Sequence, residues 1–131
     1  MKKSLFLFLV CGFTTLGLHA QENQPVKTDS IVFNKMVHDY GTITQGADGN
    51  CEFKFTNKGK VPLVLNNVRA SCGCTVADWP KEPIEPGKSG SIKVKYNTAI
   101  MGSFNKSITV NSNAVNSMVR LSIKGTVEAQ Q

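Results

Sequence analysis

What this chain of 131 residues lacks narrows it first. It has two histidines, and His19 falls in a segment that reads as a leader, so His38 has no second imidazole to work with. Ser71 and Thr75 have no general base near them in sequence, which leaves a hydroxyl nucleophile unactivated. The glycines stand singly at turn-like positions instead of gathering into a phosphate-binding loop. Lysines and arginines do not cluster with aromatics, so a nucleic-acid surface is not indicated. Asp39, Asp48, Asp78, Glu82 and Glu85 fall in turn segments where carboxylates face water, and nothing supports a glycosidase pair. No stretch keeps a helical period. Hydrolase and transferase readings fail on this inventory.

The one long apolar run lies at the N-terminus. Lys2 and Lys3 precede an apolar stretch from Leu5 to Leu18, and Leu18-His19-Ala20 offers a cleavage site before Gln21. That order predicts a signal peptide over 1–20, too short in its apolar part to span and anchor. A lipidated Cys11 is the rival reading, weakened by bulky Val10 in front of it. Residues 21–30 are polar and read as a mobile lead-in. The expected location is periplasmic or secreted, with no membrane span after signal removal.

Without Lys2 and Lys3, the 15 basic residues become 13 against 9 acidic ones, a net charge of +4. That mild excess suits solubility and weak attraction to acidic surfaces better than nucleic-acid binding. Removing Cys11 leaves Cys51, Cys72 and Cys74, an odd number for an oxidising compartment, so one intramolecular disulfide at most can form.

The rest of the chain alternates. In Cys51–Phe55 the odd positions are apolar and Glu52 and Lys54 are charged, the period of two of a half-buried strand. Ile31–Phe33 reads as a first strand, with Met36–Gly41 continuing it into a turn, and Val61–Val68 reads as another. Ile92, Val94 and Tyr96 share a face, as do Phe104, Ile108 and Val110, and Val119, Leu121 and Ile123. Lys106 falls in the apolar phase, which suits a strand end, an edge or a snorkelling stem. Turn chemistry separates these runs at Gly46–Asn50, Asn57–Lys60, Pro86-Gly87 and Asn111–Asn113. About seven short antiparallel strands in two packed sheets are predicted over 31–128. The predicted core is Phe33, Phe53, Phe55, Leu63, Leu65, Ile92, Val94, Tyr96, Ile108, Val110, Val119, Leu121 and Ile123, each in one phase within its strand.

Several blocks resemble the bacterial domain-of-unknown-function family 1573: His38–Ile43, Phe53–Gly59, Pro62–Leu65, Pro83–Gly87, Gly102–Lys106, Leu121–Gly125 and, most specifically, Ser71-Cys72-Gly73-Cys74-Thr75. The resemblance covers roughly 31–127. It implies an immunoglobulin-like β-sandwich, distantly similar to domains of sperm-tail and pilus-chaperone proteins. It also implies an exported protein of Bacteroides-type bacteria, and brings no assigned activity with it.

Cys72-Gly73-Cys74 is the one place where chemistry can reside. Two cysteines two apart can close a strained, easily reduced ring, with Gly73 relaxing the backbone between them. So short a ring stabilises little through loop entropy. One reading has the pair packing a sharp loop against Trp79. Another is a redox-active dithiol. A third is a two-coordinate Cu(I) site at Cys72 and Cys74; a closed zinc site would need four ligands, and only Cys51 and His38 remain to supply them. Cys51 is in phase with Phe53 and Phe55 and reads as a buried free thiol, though pairing with a loop cysteine is the alternative. His38 reads as structural, and Met36, Met101 and Met118 as core filler. The function this leaves is an exported, non-catalytic binding or scaffold module that needs no cofactor and whose partner is another extracytoplasmic protein. The alternative is a periplasmic redox or Cu(I)-handling protein using the Cys-Gly-Cys motif.

Overall fold

Alternation along the chain becomes strand after strand. The computed structural model describes Gly12, Gly17 and residues 30–131. The expected leader (but for those two glycines), Cys11, and the lead-in up to residue 29 lie outside the described residues. Eight strands follow: β1 Ile31–Phe33, β2 Val37–Thr44, β3 Asn50–Asn57, β4 Leu65–Ala70, β5 Thr75–Asp78, β6 Ser89–Tyr96, β7 Gly102–Ser112 and β8 Met118–Glu128. They form two four-stranded sheets, β1-β3-β6-β5 and β2-β8-β7-β4. The described residues are all-β, and the two sheets bury one shared core, as the pattern predicts.

Three details differ from that pattern. First, Met36–Gly41 is not an extension of β1 within one sheet. The chain crosses to the other sheet and runs beside β8 in parallel, with Val37 opposite Ser122 and Thr44 opposite Glu128. A chain that changes sheet without reversing keeps its direction, so this one pair is parallel while every other pair is antiparallel. Second, Gly41 does not end the strand. Its φ of 66° sits at a register shift between Asp39 and Thr42, a bulge that only glycine enters cheaply. Third, Val61–Val68 begins pairing as a strand only at Leu65; Leu63 makes a single bridge to Ile84.

The core holds every predicted position except Phe33, which is half-buried against it. It also takes in Ile31, Val68, Phe104, Ala114 and Val127. Phe104 stacks on Tyr96 across the two sheets, centroids 3.8 Å apart at 14°. Lys106 is half-buried in mid-β7, opposite Ile123. β4 has already left that flank at Ala70, opposite Ile108, so Lys106 occupies an edge position, one of the alternatives its phase allowed.

Buried polar groups are satisfied. Asn57 is 1% exposed; its amide donates to the carbonyls of Val61 at 2.8 Å and Ile84 at 2.9 Å and its oxygen accepts from Gly59 N–H. One side chain thus ties the end of β3 to both loops beside it, where a lost partner would strand a buried dipole.

Candidate functional site

The Cys-Gly-Cys motif is the crossing from one sheet to the other. β4 ends at Ala70 and β5 starts at Thr75, so Ser71–Cys74 must turn between layers. It is held at both ends. Ser71 N–H donates to the Ser107 carbonyl at 2.9 Å, and Ser107 N–H donates back to Ser71 Oγ at 3.1 Å. On the other sheet, Asn97 N–H donates to the Cys74 carbonyl at 2.8 Å. Cys72 and Cys74 are half-buried and disulfide-bonded, with Cα atoms 5.3 Å apart.

The surroundings of the sulfurs are sparse. Thr75 is buried, and its hydroxyl lies 4.0 Å from Cys72 Sγ and 3.8 Å from Cys74 Sγ. It can donate weakly to whichever sulfur carries charge once the bond opens. Gly73 has no positive φ, and a Cβ built on it would meet nothing within 4 Å. Its backbone therefore does not need glycine, and the turn is open to solvent above it.

Two expectations about this loop are corrected. Trp79 does not support it: extended β5 intervenes, and five residues at about 3.3 Å each carry Trp79 roughly 16 Å from Cys74. There the ring stacks under Lys81, whose Nζ lies 2.9 Å from its centroid. Nor can Cys51 pair with a loop cysteine. Cys51 lies opposite Val94, which lies opposite Ala77. Two strand spacings of about 4.8 Å and three residues of about 3.3 Å separate Cys51 from Cys74 by roughly 14 Å. A disulfide needs Cα atoms within about 7 Å. Cys51 is a free thiol, half-buried where full burial was expected, because it opens β3 at the end of the sandwich. Burial pushes its pKa up, against the neighbouring Tyr40 hydroxyl and the charge of Lys35. Tyr40 O–H donates its one proton to the Gly49 carbonyl at 2.7 Å. His38 lies on β2 in the other sheet, accepting from Lys35 Nζ at 2.9 Å and edge-on to Tyr40. The fold therefore brings Cys72 and Cys74 together, and leaves Cys51 and His38 apart from them.

A second place has no counterpart in the sequence reading. β2 covers the flank of β8 only from Ser122 onward, whose N–H donates to the Met36 carbonyl at 2.9 Å. Below that point the side of the sandwich is open. A cleft of about 380 Å³ lies there, between β1 and the start of β8, lined by Ile31, Val32, Phe33, Met36, Asn116, Met118, Val119 and Arg120. Met36 and Met118, read from sequence as core filler, are 44% and 66% exposed on it; Met101 is exposed as well. The available signal was Met118 itself, which stands in the outward phase against Val119 and Leu121.

Asn116 closes one end of the cleft. Its oxygen accepts from Ser30 N–H at 3.0 Å and Ile31 N–H at 3.1 Å, and its amide donates to the Ile31 carbonyl at 2.8 Å. A carboxamide thus does for β1 what a neighbouring strand would do.

Comparison with known proteins places the chain by fold. The model of the family described as "Protein of unknown function (DUF1573)" matches residues 31–127. Human hydrocephalus-inducing protein homolog is 30% identical over 100 residues, 74% of this chain and 2% of that protein; the chain thus spans a small fraction of this curated relative. A protein of unknown function from Porphyromonas gingivalis W83 superposes with a TM-score of 0.67 at 20% identity, over 76% of this chain and 47% of that one. The ASH / PapD-like domain 7 of human CEP192 superposes with a TM-score of 0.65 at 7% identity, over 78% and 87%. At these identities the two structures speak for the fold alone.

Proposed function

The chain belongs to the DUF1573 family of proteins of unknown function, and from that premise we propose that it is a non-catalytic module that binds another protein outside the cytoplasm. The observation that carries the reading is the open side of the sandwich. Solvent-facing Val32, Met36, Val37 and Met118 are 40–66% exposed along one flank. Grouped exposed apolar residues at a sheet edge mark a contact surface, where single ones would mean nothing. Immunoglobulin-like sandwiches present edges and end loops to partners, and the likeness to a PapD-like domain agrees with such a use. Export is supported by the leader-like order of residues 1–20.

The test uses the full chain. Met36→Glu with Met118→Glu should leave the melting temperature nearly unchanged, since both side chains are exposed, and should abolish capture of the partner that wild type retains from an extract of the exported fraction. Equal capture by the double variant would remove the flank from the reading.

A second reading has its own observation, the half-exposed Cys72 and Cys74 beneath an open Gly73 with Thr75 Oγ1 near both sulfurs. In thiol–disulfide exchange a partner thiolate would attack one sulfur, break the bond and release the other as a thiolate. A second partner thiol would then resolve the mixed disulfide, leaving Cys72 and Cys74 reduced and the partner oxidised. The reduced pair would also suit Cu(I). Equilibration in glutathione buffers, and Cu(I) titration of the reduced protein against the double serine variant, test the two uses. A pair that stays oxidised across the glutathione range rules out both.

A further inference from the structure

We propose that the open flank takes an extended segment of the partner, apolar at alternate residues and carrying a carboxylate, which adds to β8 as a strand beside Met118–Arg120. The inference rests on the binding-module reading and names its ligand chemistry.

Backbone groups carry it. Ser112 N–H donates to the Ser117 carbonyl, which fixes the register of the β7–β8 pair. Val119 and Leu121 therefore turn their N–H and C=O groups toward β7. Met118 and Arg120 turn theirs the other way, to the side that β2 does not reach. The opposite wall repeats the situation. Lys58 N–H donates to the Ser30 carbonyl and Asn34 N–H to that of Lys54, so the Ser30 carbonyl, the backbone groups of Val32 and the Asn34 N–H face β3. Ile31 and Phe33 face the cleft. Asn116 satisfies Ile31, while Phe33 has no backbone partner on this side among the described residues. Among the described residues, donors and acceptors without a backbone partner thus line both walls of a groove with an apolar floor, which an added strand satisfies with main-chain hydrogen bonds while its alternate side chains fill the floor.

Charge selects the occupant. Arg120 is the one ionisable residue among those lining the cleft, and it is exposed. On β7 and β8 its neighbours across and along the strands are Thr109, Met118 and Ser122, none of them acidic. The chain's own residues 21–29 are a poor fit, since Val26 and Pro25 are their only sizeable apolar side chains. A second copy pairing through the same β8 edge would bring two Arg120 guanidiniums toward each other, and like charges opposed across strands destabilise. A foreign strand bearing a carboxylate meets both the floor and the cation.

The test is an array of capped hexapeptides alternating valine and threonine, with glutamate or lysine at each threonine position in turn, followed by amide NMR of the full chain with the best binder. The glutamate set should bind about tenfold more tightly than the lysine set, shifting the amides of Phe33, Met118 and Arg120. A proline within the best peptide should abolish binding. Arg120→Ala should reduce the preference to within about twofold, while Arg69→Ala, on the same sheet but outside the cleft, should keep it. Equal binding of both sets, shifts confined to another surface, or self-association through this flank would overturn the proposal. The Met36→Glu and Met118→Glu experiment separates the levels. If that variant loses the partner while the peptides do not discriminate, this inference fails alone; if it keeps the partner, the flank itself is wrong.

Discussion

Asn116 grips Ile31 by both of its backbone groups, although the two residues are 85 apart in sequence. One carboxamide closes a two-bond ring with the strand, accepting from its N–H and donating to its C=O, and takes a third bond from Ser30. β1 is only three residues long and pairs on its other side with β3, so this clamp is a large share of what holds it. Asn116→Ala should cost about 1–3 kcal/mol, the range for stranding polar groups of a part-buried cluster. Hydrogen exchange should accelerate at Ile31 and leave β6 and β7 unaffected. A variant with unchanged exchange at Ile31 would show that water replaces the clamp at no cost.

Leu121 tests the core. It is fully buried in the middle of β8, opposite Ile108. Leu121→Ala should destabilise by about 2–5 kcal/mol, through lost burial and the cavity left behind. Denaturant unfolding would measure it, and a midpoint equal to that of wild type would mean the strand faces the other way.

Such core positions were legible because alternation is local. Phe53, Phe55, Ile92, Val94 and Tyr96 declare their face within a single strand. Partnering is not local: nothing in Val37–Thr44 reveals that its neighbour is β8, or that the two run parallel. Gly41 looked like a turn because glycine serves turns and bulges equally. β5 went unread because four residues hold two alternations at most. Cys72 and Cys74 stood out by spacing, yet only the extension of β5 shows that Trp79 is far from them. The open flank had one local sign, Met118 in the outward phase, but its cause is not local, since it arises where β2 fails to reach Met118 and Arg120.

Two glycines should separate sharply. A Cβ on Gly73 would meet nothing within 4 Å, and its φ is not positive. A Cβ on Gly90 would lie 2.7 Å from Cζ of Phe55, a ring with no exposure. Gly73→Ala should leave stability within about 0.5 kcal/mol of wild type, or raise it slightly by restricting the unfolded chain. Gly90→Ala should cost about 1–3 kcal/mol, because a buried ring must shift to admit the methyl. Comparable melting temperatures for the two variants would contradict the packing described for Phe55.

His38 should make stability depend on pH. Burial holds its pKa below the ordinary 6.5, and the Lys35 ammonium adds to that, with Asp39 opposing. The folded state therefore binds fewer protons than the unfolded chain in the interval between the two values. Stability from this group is present above pH 6.5, and is lost as pH falls through that interval. Protonation also removes the lone pair that accepts from Lys35 Nζ. His38→Asn should lack this contribution, so the variant should gain on wild type as the medium is taken from about pH 8 to about pH 5. Thermal melts of both proteins across that range decide it, and a constant difference would mean His38 titrates alike in the folded and unfolded chain.

The free thiol gives the last expectation. Cys51 is half-buried at the start of β3, with its pKa raised by burial and partly restored by Tyr40 and Lys35. A thiol that is mostly protonated reacts slowly, because the thiolate is the nucleophile. Without reductant, iodoacetamide at about pH 8 should therefore modify Cys51 alone among the described cysteines, several-fold more slowly than an unstructured cysteine. After mild reduction Cys72 and Cys74 should react first, since their turn is open above Gly73. Tyr40→Phe removes the neighbouring hydroxyl that opposes this rise, so it should slow that site further and leave the pair unchanged. Peptide mass mapping before reduction provides the sharpest check. A Cys72–Cys74 bridge is expected, and a bridged peptide containing Cys51 would require two Cα atoms, roughly 14 Å apart by strand spacing, to meet.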